Sequence, residues 1–265
     1  METALYLALG ACTGLLAGLF GVGGGLIIVP ALVFAFSVHG FAAASMMHMA
    51  IGTSLAAIVL TSMSSVYSHH RHHAVIWHAA ARLTPGIVVG TAFGSWLAGQ
   101  IGSTPLRYFF ATFMFLVAVQ MALGLSPHAQ PDKKLPRMPG MLSAGAGIGA
   151  VSALVGIGGG TLTTPFLLWR GIGIRNAIAT SAACGLPIAV TGSFGYVLAG
   201  LHRPDLPAHA IGYVYWPAGL AIAVASVCTA PLGAHLTHRL PIPLLKRLFA
   251  LLLAGIAIRL MIASS

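Results

Sequence analysis

The run Gly18-Leu-Phe-Gly-Val-Gly-Gly-Gly-Leu-Ile-Ile-Val-Pro30 constrains this chain more than any other stretch, because it puts three consecutive glycines inside a long apolar segment. Residues 153–165 repeat it as Ala-Leu-Val-Gly-Ile-Gly-Gly-Gly-Thr-Leu-Thr-Thr-Pro. Each glycine costs a helix roughly 1 kcal/mol against alanine, so a helix is expected to break at both places. Inside a bilayer, broken backbone survives only where protein or a wet cavity covers it. A break used twice, at matching places in two halves, points to a binding site between those halves.

The bilayer is required by composition. The 265 residues are 58% hydrophobic and only 6% charged, against about 25% charged in soluble domains. Mean hydropathy is +0.94. The net charge of +10 sits in short loops between apolar stretches and reads as membrane topology. No aromatic and basic platform for nucleic acid is visible. Cys12, Cys184 and Cys228 lie in apolar segments with no disulfide or zinc spacing. Met1-Glu2-Thr3 leads straight into apolar sequence, which reads as a first membrane segment and not as a removed signal peptide.

The expected fold is an all-α polytopic membrane protein of two repeated halves, each a Gly-broken segment plus three transmembrane helices. The first repeat covers 1–124, with a broken segment at 4–37 and spans at 49–68, 79–100 and 105–124. Residues 38–48 are expected to connect, and His69-His70-Arg71-His72-His73 to form a loop. A polar linker follows at 125–140. The second repeat covers 141–265, with a broken segment at 141–169 and spans at 175–199, 211–236 and 242–262. Landmarks recur in the same order: the glycines, Pro30 with Pro165, Thr53-Ser54 with Thr180-Ser181, and Trp77 with Trp216. Pro30 is expected in the first turn of the helix after the break.

Charge placement separates two topologies. If each Gly-rich segment crosses fully, Lys and Arg divide seven against six between the two sides. If each enters and returns on one side, ten share one face and only Arg107, Arg203 and Arg259 lie on the other. The second arrangement has a positive-inside bias and inverts one half relative to the other.

A glycine turn opening a helix exposes N–H groups at the positive end of the helix dipole, which suits an anion. The candidate substrate-binding residues are therefore Gly23, Gly24, Gly25, Gly158, Gly159 and Gly160. Hydroxyl and amide donors join them: Thr53, Ser54, Thr161, Asn176, Thr180 and Ser181. Thr161, Thr163 and Thr164 make the second break more polar than the first, which carries Leu26, Ile27, Ile28 and Val29. The run has Gly-x-Gly-x-x-Gly-like spacing, but no strand precedes it, so a dinucleotide fingerprint is rejected. Glu2, Asp132 and Asp205 are the only acids, and none falls within a span. This disfavours a cation site. No catalytic residue, resident metal or cofactor is assigned. The rival signal is the cluster His69, His70, His72, His73 and His78, which leaves a membrane-embedded metalloenzyme or a metal-ion transporter as alternatives.

The two Gly-rich runs, the Ala-x-x-Thr-Ser element after each, and the Trp-Pro-Ala-Gly that leads to Ala-Pro-Leu-Gly-Ala-His-Leu resemble the TauE/SafE sulfite-exporter family, also called toluene-sulfonate uptake permeases. The resemblance implies a multi-pass transporter of the bacterial inner (plasma) membrane that moves sulfite or organosulfonates, in either direction. The expected function is secondary transport of a small anion by alternating access between two repeats. The partners are that anion and the lipid bilayer, with no nucleic acid, and homo-oligomerisation stays open.

Overall fold

The structure is a computed structural model that describes residues 2–20, 24–124, 135–237 and 242–262. Among these residues the fold is helical. The first part holds α1 (Glu2–Phe20), α2 (Gly25–Val38), α3 (Ala43–Arg71), α4 (Trp77–Gln100) and α5 (Ser103–Ala122). The second holds α6 (Met138–Val155), α7 (Gly160–Trp169), α8 (Ile174–Gly200), α9 (Trp216–Thr237) and α10 (Ile242–Ile262). One antiparallel hairpin, β1 (Ala210–Ile211) and β2 (Val214–Tyr215), precedes α9. Helices are what a bilayer selects, because each satisfies its own backbone polar groups. Helices α3, α5, α6 and α8 are long and apolar enough to cross a membrane, and α1, α2 and α9 contain shorter apolar stretches.

Helix boundaries depart from the apolar windows in three places. Helix α3 starts at Ala43 and carries His69, His70 and Arg71 in its last turn. Its 29 residues reach about 44 Å, so its ends project beyond the hydrophobic window. Residues 210–215 form the hairpin, turned by Gly212 at φ 55°, where an apolar run alone suggested helix. Pro30 lies in the second turn of α2, and Pro165 in that of α7. Each removes one i→i−4 bond from a helix already short.

Glycine contacts fix the helix directions. Gly86, Gly90 and Gly94 of α4 meet Leu142, Ala146 and Ala150 of α6 in rising order, so the two helices are parallel. Gly10 and Gly14 of α1 meet Ile222 and Ser226 of α9 in the same sense. Glycines let such backbones approach closely. Helix α8 runs parallel to α4, pairing Thr91 with Gly192 and Ser95 with Gly195. It runs antiparallel to α3, pairing Gly52 with Tyr196 and Ser62 with Gly185.

These directions make both broken segments turn back. Helices α6 and α8 each run parallel to α4, so α7 between them must reverse. In the first part, Tyr6 near the start of α1 lies 5.8 Å from the ring of His39, just past the end of α2. The α1–α2 segment therefore begins and ends at one end of the bundle, and the α6–α7 segment at the other. Tyr6, His39, Ile101 and Tyr213 mark the first end. His70, Trp77, Arg137 and Arg170 mark the second. Among described residues, Arg71, Arg82, Arg137, Arg170, Arg175 and Arg247 lie toward the second end, and Arg107, Arg203 and Arg259 toward the first. Lys133, Lys134 and Arg239 fall outside the described residues, as does most of the 125–140 linker.

The packed core lies between α2, α3 and α8 and includes Val29, Leu32, Ile51, Leu55 and Ile188. Phe93, Trp96, Phe194 and Leu251 are exposed on the outer faces, as a lipid-facing surface requires.

Candidate functional site

The second break is built by two left-handed glycines. Gly156 ends α6 at φ 76°, ψ 33°. Its N–H bonds the Ser152 carbonyl at 2.8 Å, and so does that of Ile157, at 3.1 Å. Gly159 opens α7 at φ 79°, and its carbonyl accepts from Leu162 (3.1 Å) and Thr163 (2.7 Å). Residues with a Cβ adopt such φ values at a cost of about 1–2 kcal/mol, which explains glycine here. The N-cap is a glycine and supplies no side-chain bond. The first turn of α7 therefore lies at the positive end of the helix, with no bond from an N-cap side chain.

Hydroxyls surround this turn. Thr163 is fully buried and its Oγ1 has no hydrogen-bond partner. It would stand 3.2 Å from a Cβ placed on Gly159, so it lies beside the N-cap. Thr164 donates to Ser181 Oγ at 2.8 Å, and Ser181 donates to the Ile178 carbonyl at 2.8 Å. Gly185 packs on the Gly158 carbonyl, with Ser62 Oγ also close to Gly185. Gly158 and Gly159 are buried, whereas Gly160, Thr161 and Asn176 are half-buried.

The first break is occupied differently. Gly24 caps α2 at φ 63°, ψ −38°, again without a side-chain bond, and accepts from Ile27 and Ile28 at 2.9 Å each. Gly25 is pressed against the Gly156 carbonyl and the Ile157 Cα. The two breaks thus meet, with the backbone of the second covering the opening turn of α2. Gly23 lies outside the described residues.

The hydroxyl pairs divide their roles. Ser54 donates to the Gly156 carbonyl at 3.0 Å and so satisfies the end of α6. Thr53 Oγ1 accepts the Tyr215 N–H at 2.9 Å. Thr180 Oγ1 accepts the Ile76 N–H at 3.0 Å. Ile76 and Tyr215 immediately precede Trp77 and Trp216, which open α4 and α9. Ser54, Thr164 and Ser181 are therefore gathered around the second break, while the two threonines fasten helix starts at opposite ends. Asn176 stands in the first turn of α8, one turn before Thr180.

Thr163 is the residue that sequence reasoning left out of the site. Its signal was present, since Thr163 stands where the first run has Ile28. The histidine cluster assembles no metal centre: among described residues no group of three His, Cys, Asp or Glu side chains could hold a metal ion. His70 Nδ1 instead accepts from Trp77 Nε1 at 3.3 Å.

Comparison with known proteins agrees with a transporter. Residues 6–260 match the family described as Sulfite exporter TauE/SafE. A "Probable membrane transporter protein" of Haemophilus influenzae is 37% identical over 254 residues, covering 96% of each chain. Another, from Methanocaldococcus jannaschii, is 28% identical over 239 residues, covering 89% of this chain and 86% of its own. A third, YdhB of Bacillus subtilis, is 27% identical over 242 residues, covering 88% and 89%. No solved structure matches the chain. The chain belongs to the TauE/SafE sulfite exporter family of membrane transporters.

Proposed function

We propose that this protein is a secondary transporter of small oxyanions, sulfite or organosulfonates, held at the opening turn of α7. The observation that carries this reading is the buried, unpartnered Thr163 hydroxyl beside the glycine-opened start of α7. A desolvated oxyanion needs donors, and backbone N–H groups with a hydroxyl supply them at no charge cost in the membrane. No acidic side chain lies in the described helices except Glu2, at the first residue of α1. The family description names sulfite export. In the candidate set, Gly159, Gly160 and Thr161 line the opening turn. Thr163 adds a hydroxyl, and Ser181 and Thr164 border it, while Asn176 stands in the first turn of α8, away from it. Gly24 and Gly25 belong to the facing wall.

We read the chain as two inverted repeats, 1–124 and 141–265, joined by the polar linker. The reading is supported by exchanged packing, α1 on α9 and α6 on α4, and by the exchanged Thr53–Tyr215 and Thr180–Ile76 bonds. Alternating access then opens one end at a time, releasing one of those bonds while the other holds. The end rich in Arg faces the cytoplasm by the positive-inside rule, in a bacterial inner membrane.

The test is flux in proteoliposomes. Sulfite and methanesulfonate should move, chloride and sodium should not, and Thr163→Val should weaken the apparent affinity for the anion. Equal flux in wild type and variant would remove the site.

A further inference from the structure

His48 is an ionisable side chain sealed inside α3, 3% exposed, and the anion site makes no use of it. Its Nε2 lies 2.9 Å from the Ala98 carbonyl and 3.0 Å from the Ile101 carbonyl. Carbonyls only accept, so Nε2 carries the hydrogen and donates to both. In the neutral ring Nδ1 is then a bare acceptor, and it is buried with no partner. One face of the ring stacks on Tyr213, with centroids 4.8 Å apart and planes 24° apart. The titratable or charged groups around it are few among the described residues. They are the Tyr213 phenol on the hairpin segment and the Arg203 guanidinium on the connection before it. The α4–α5 corner presents the two carbonyls, with Ser103 bonded to the neighbouring Met47 N–H at 3.1 Å.

An imidazole with a free ring nitrogen, close to one end of the bundle, is a place for a proton. In this structure a proton on Nδ1 would make a buried N–H with no acceptor. Such a group is costly unless water or a polar partner reaches it. On one face the ring is covered by Tyr213, itself 2% exposed, at the turn of the hairpin. That hairpin is fastened to α3 by Tyr215 N–H on Thr53, five residues beyond His48. Parting the hairpin from α3 would break that bond and wet His48 in one movement.

We propose that His48 is a proton-binding site of the transport cycle, filled at Nδ1 when the 210–215 hairpin parts from α3 and emptied when it closes. The proton is taken from hydronium at the Tyr6 end as a new Nδ1–H bond, and after the hairpin has closed that bond breaks and the proton leaves to water admitted from the opposite end. The bound ligand is a proton, so anion movement is coupled to proton movement. This rests on the transporter reading given above.

Two measurements test it. The first needs no flux: imidazole NMR of purified protein labelled in its histidines. His48→Gln assigns the resonance by its loss. Should that variant fail to fold, Tyr213→Leu assigns it through the lost ring-current shift. The His48 ring should take up a proton on Nδ1 as the pH is lowered on the folded protein. A ring that stays neutral down to the pH at which the fold is lost overturns the site. The second uses proteoliposomes with an internal pH dye and methanesulfonate, whose sulfonate carries no titrating proton in this range. Wild type should change internal pH in step with flux. His48→Gln should keep downhill flux, lose the pH change and flatten the pH profile of transport. A variant that still moves protons with methanesulfonate overturns the coupling. If neither sulfite nor methanesulfonate moves in wild type, the anion reading fails, and the ring titration alone decides the proton site.

Discussion

The Thr53 hydroxyl accepts the Tyr215 N–H at 2.9 Å, across 162 residues of chain. Its counterpart Thr180 accepts the Ile76 N–H at 3.0 Å, in the opposite sense along the sequence. Both threonines are fully buried. Each bond ties the central helix of one half to the residue that precedes the opening tryptophan of a helix in the other.

Replacing either threonine with valine keeps the shape and strands a buried N–H. The expected cost is about 1–3 kcal/mol, read as a lower melting temperature in detergent. The two sites share no partner, so the double variant should lose roughly the sum of the single losses. An unchanged melting temperature in both single variants would show that neither bond holds the closed ends.

Thr163→Val should behave in the opposite way. Its hydroxyl is buried with no partner, so removing it relieves a desolvated group and should leave stability unchanged or slightly raised. A hydrogen bond to a charged ligand is worth about 1.5–3 kcal/mol, so the half-saturating anion concentration should rise about ten- to hundredfold. A destabilised variant with normal affinity would assign Thr163 to packing alone.

Gly159→Leu should abolish flux while the protein still reaches the membrane. The φ of 79° is hostile to a side chain, and a Cβ would come within 2.7 Å of Ile188 Cδ1. Blotting of membrane fractions separates loss of transport from loss of insertion. Full activity in the inserted variant contradicts a substrate at this turn.

Topology is checked with single cysteines in a background lacking Cys12, Cys184 and Cys228. Gly40 follows α2 and Gly173 precedes α8. Gly40→Cys and Gly173→Cys should label with a membrane-impermeant thiol reagent from opposite sides. Labelling from the same side would be incompatible with the inverted turns.

Much of the architecture was legible because glycine leaves so few readings in a membrane. Triple glycines in an apolar run break helices, and the left-handed values at Gly24, Gly156 and Gly159 are what glycine permits. The charge bias read from Arg71 to Arg175 pointed to segments that turn back, and the helix directions agree for the described residues. The partners of the hydroxyls were not legible. Thr53-Ser54 looks like a pair of ligand donors, but adjacent positions on a helix point about 100° apart. Ser54 therefore reaches Gly156 while Thr53 reaches Tyr215. His48 was hidden for a related reason: hydropathy windows start α3 after it, yet the helix runs through it and the Tyr213 ring stacks on it. Only tertiary contact supplies that cover.

The contact of Gly25 with Gly156 also limits how alike the two tips can become. With the Gly156 carbonyl and Ile157 Cα lying against Gly25 at the start of α2, the proposed anion site has only the turn of α7 to use. Grafting threonines at Leu26 and Ile28, to copy Thr161 and Thr163, would place hydroxyls against protein instead of against an anion. On the proposed reading one tip is the wall and the other the holder, so the stoichiometry expected of the whole chain is one anion per cycle.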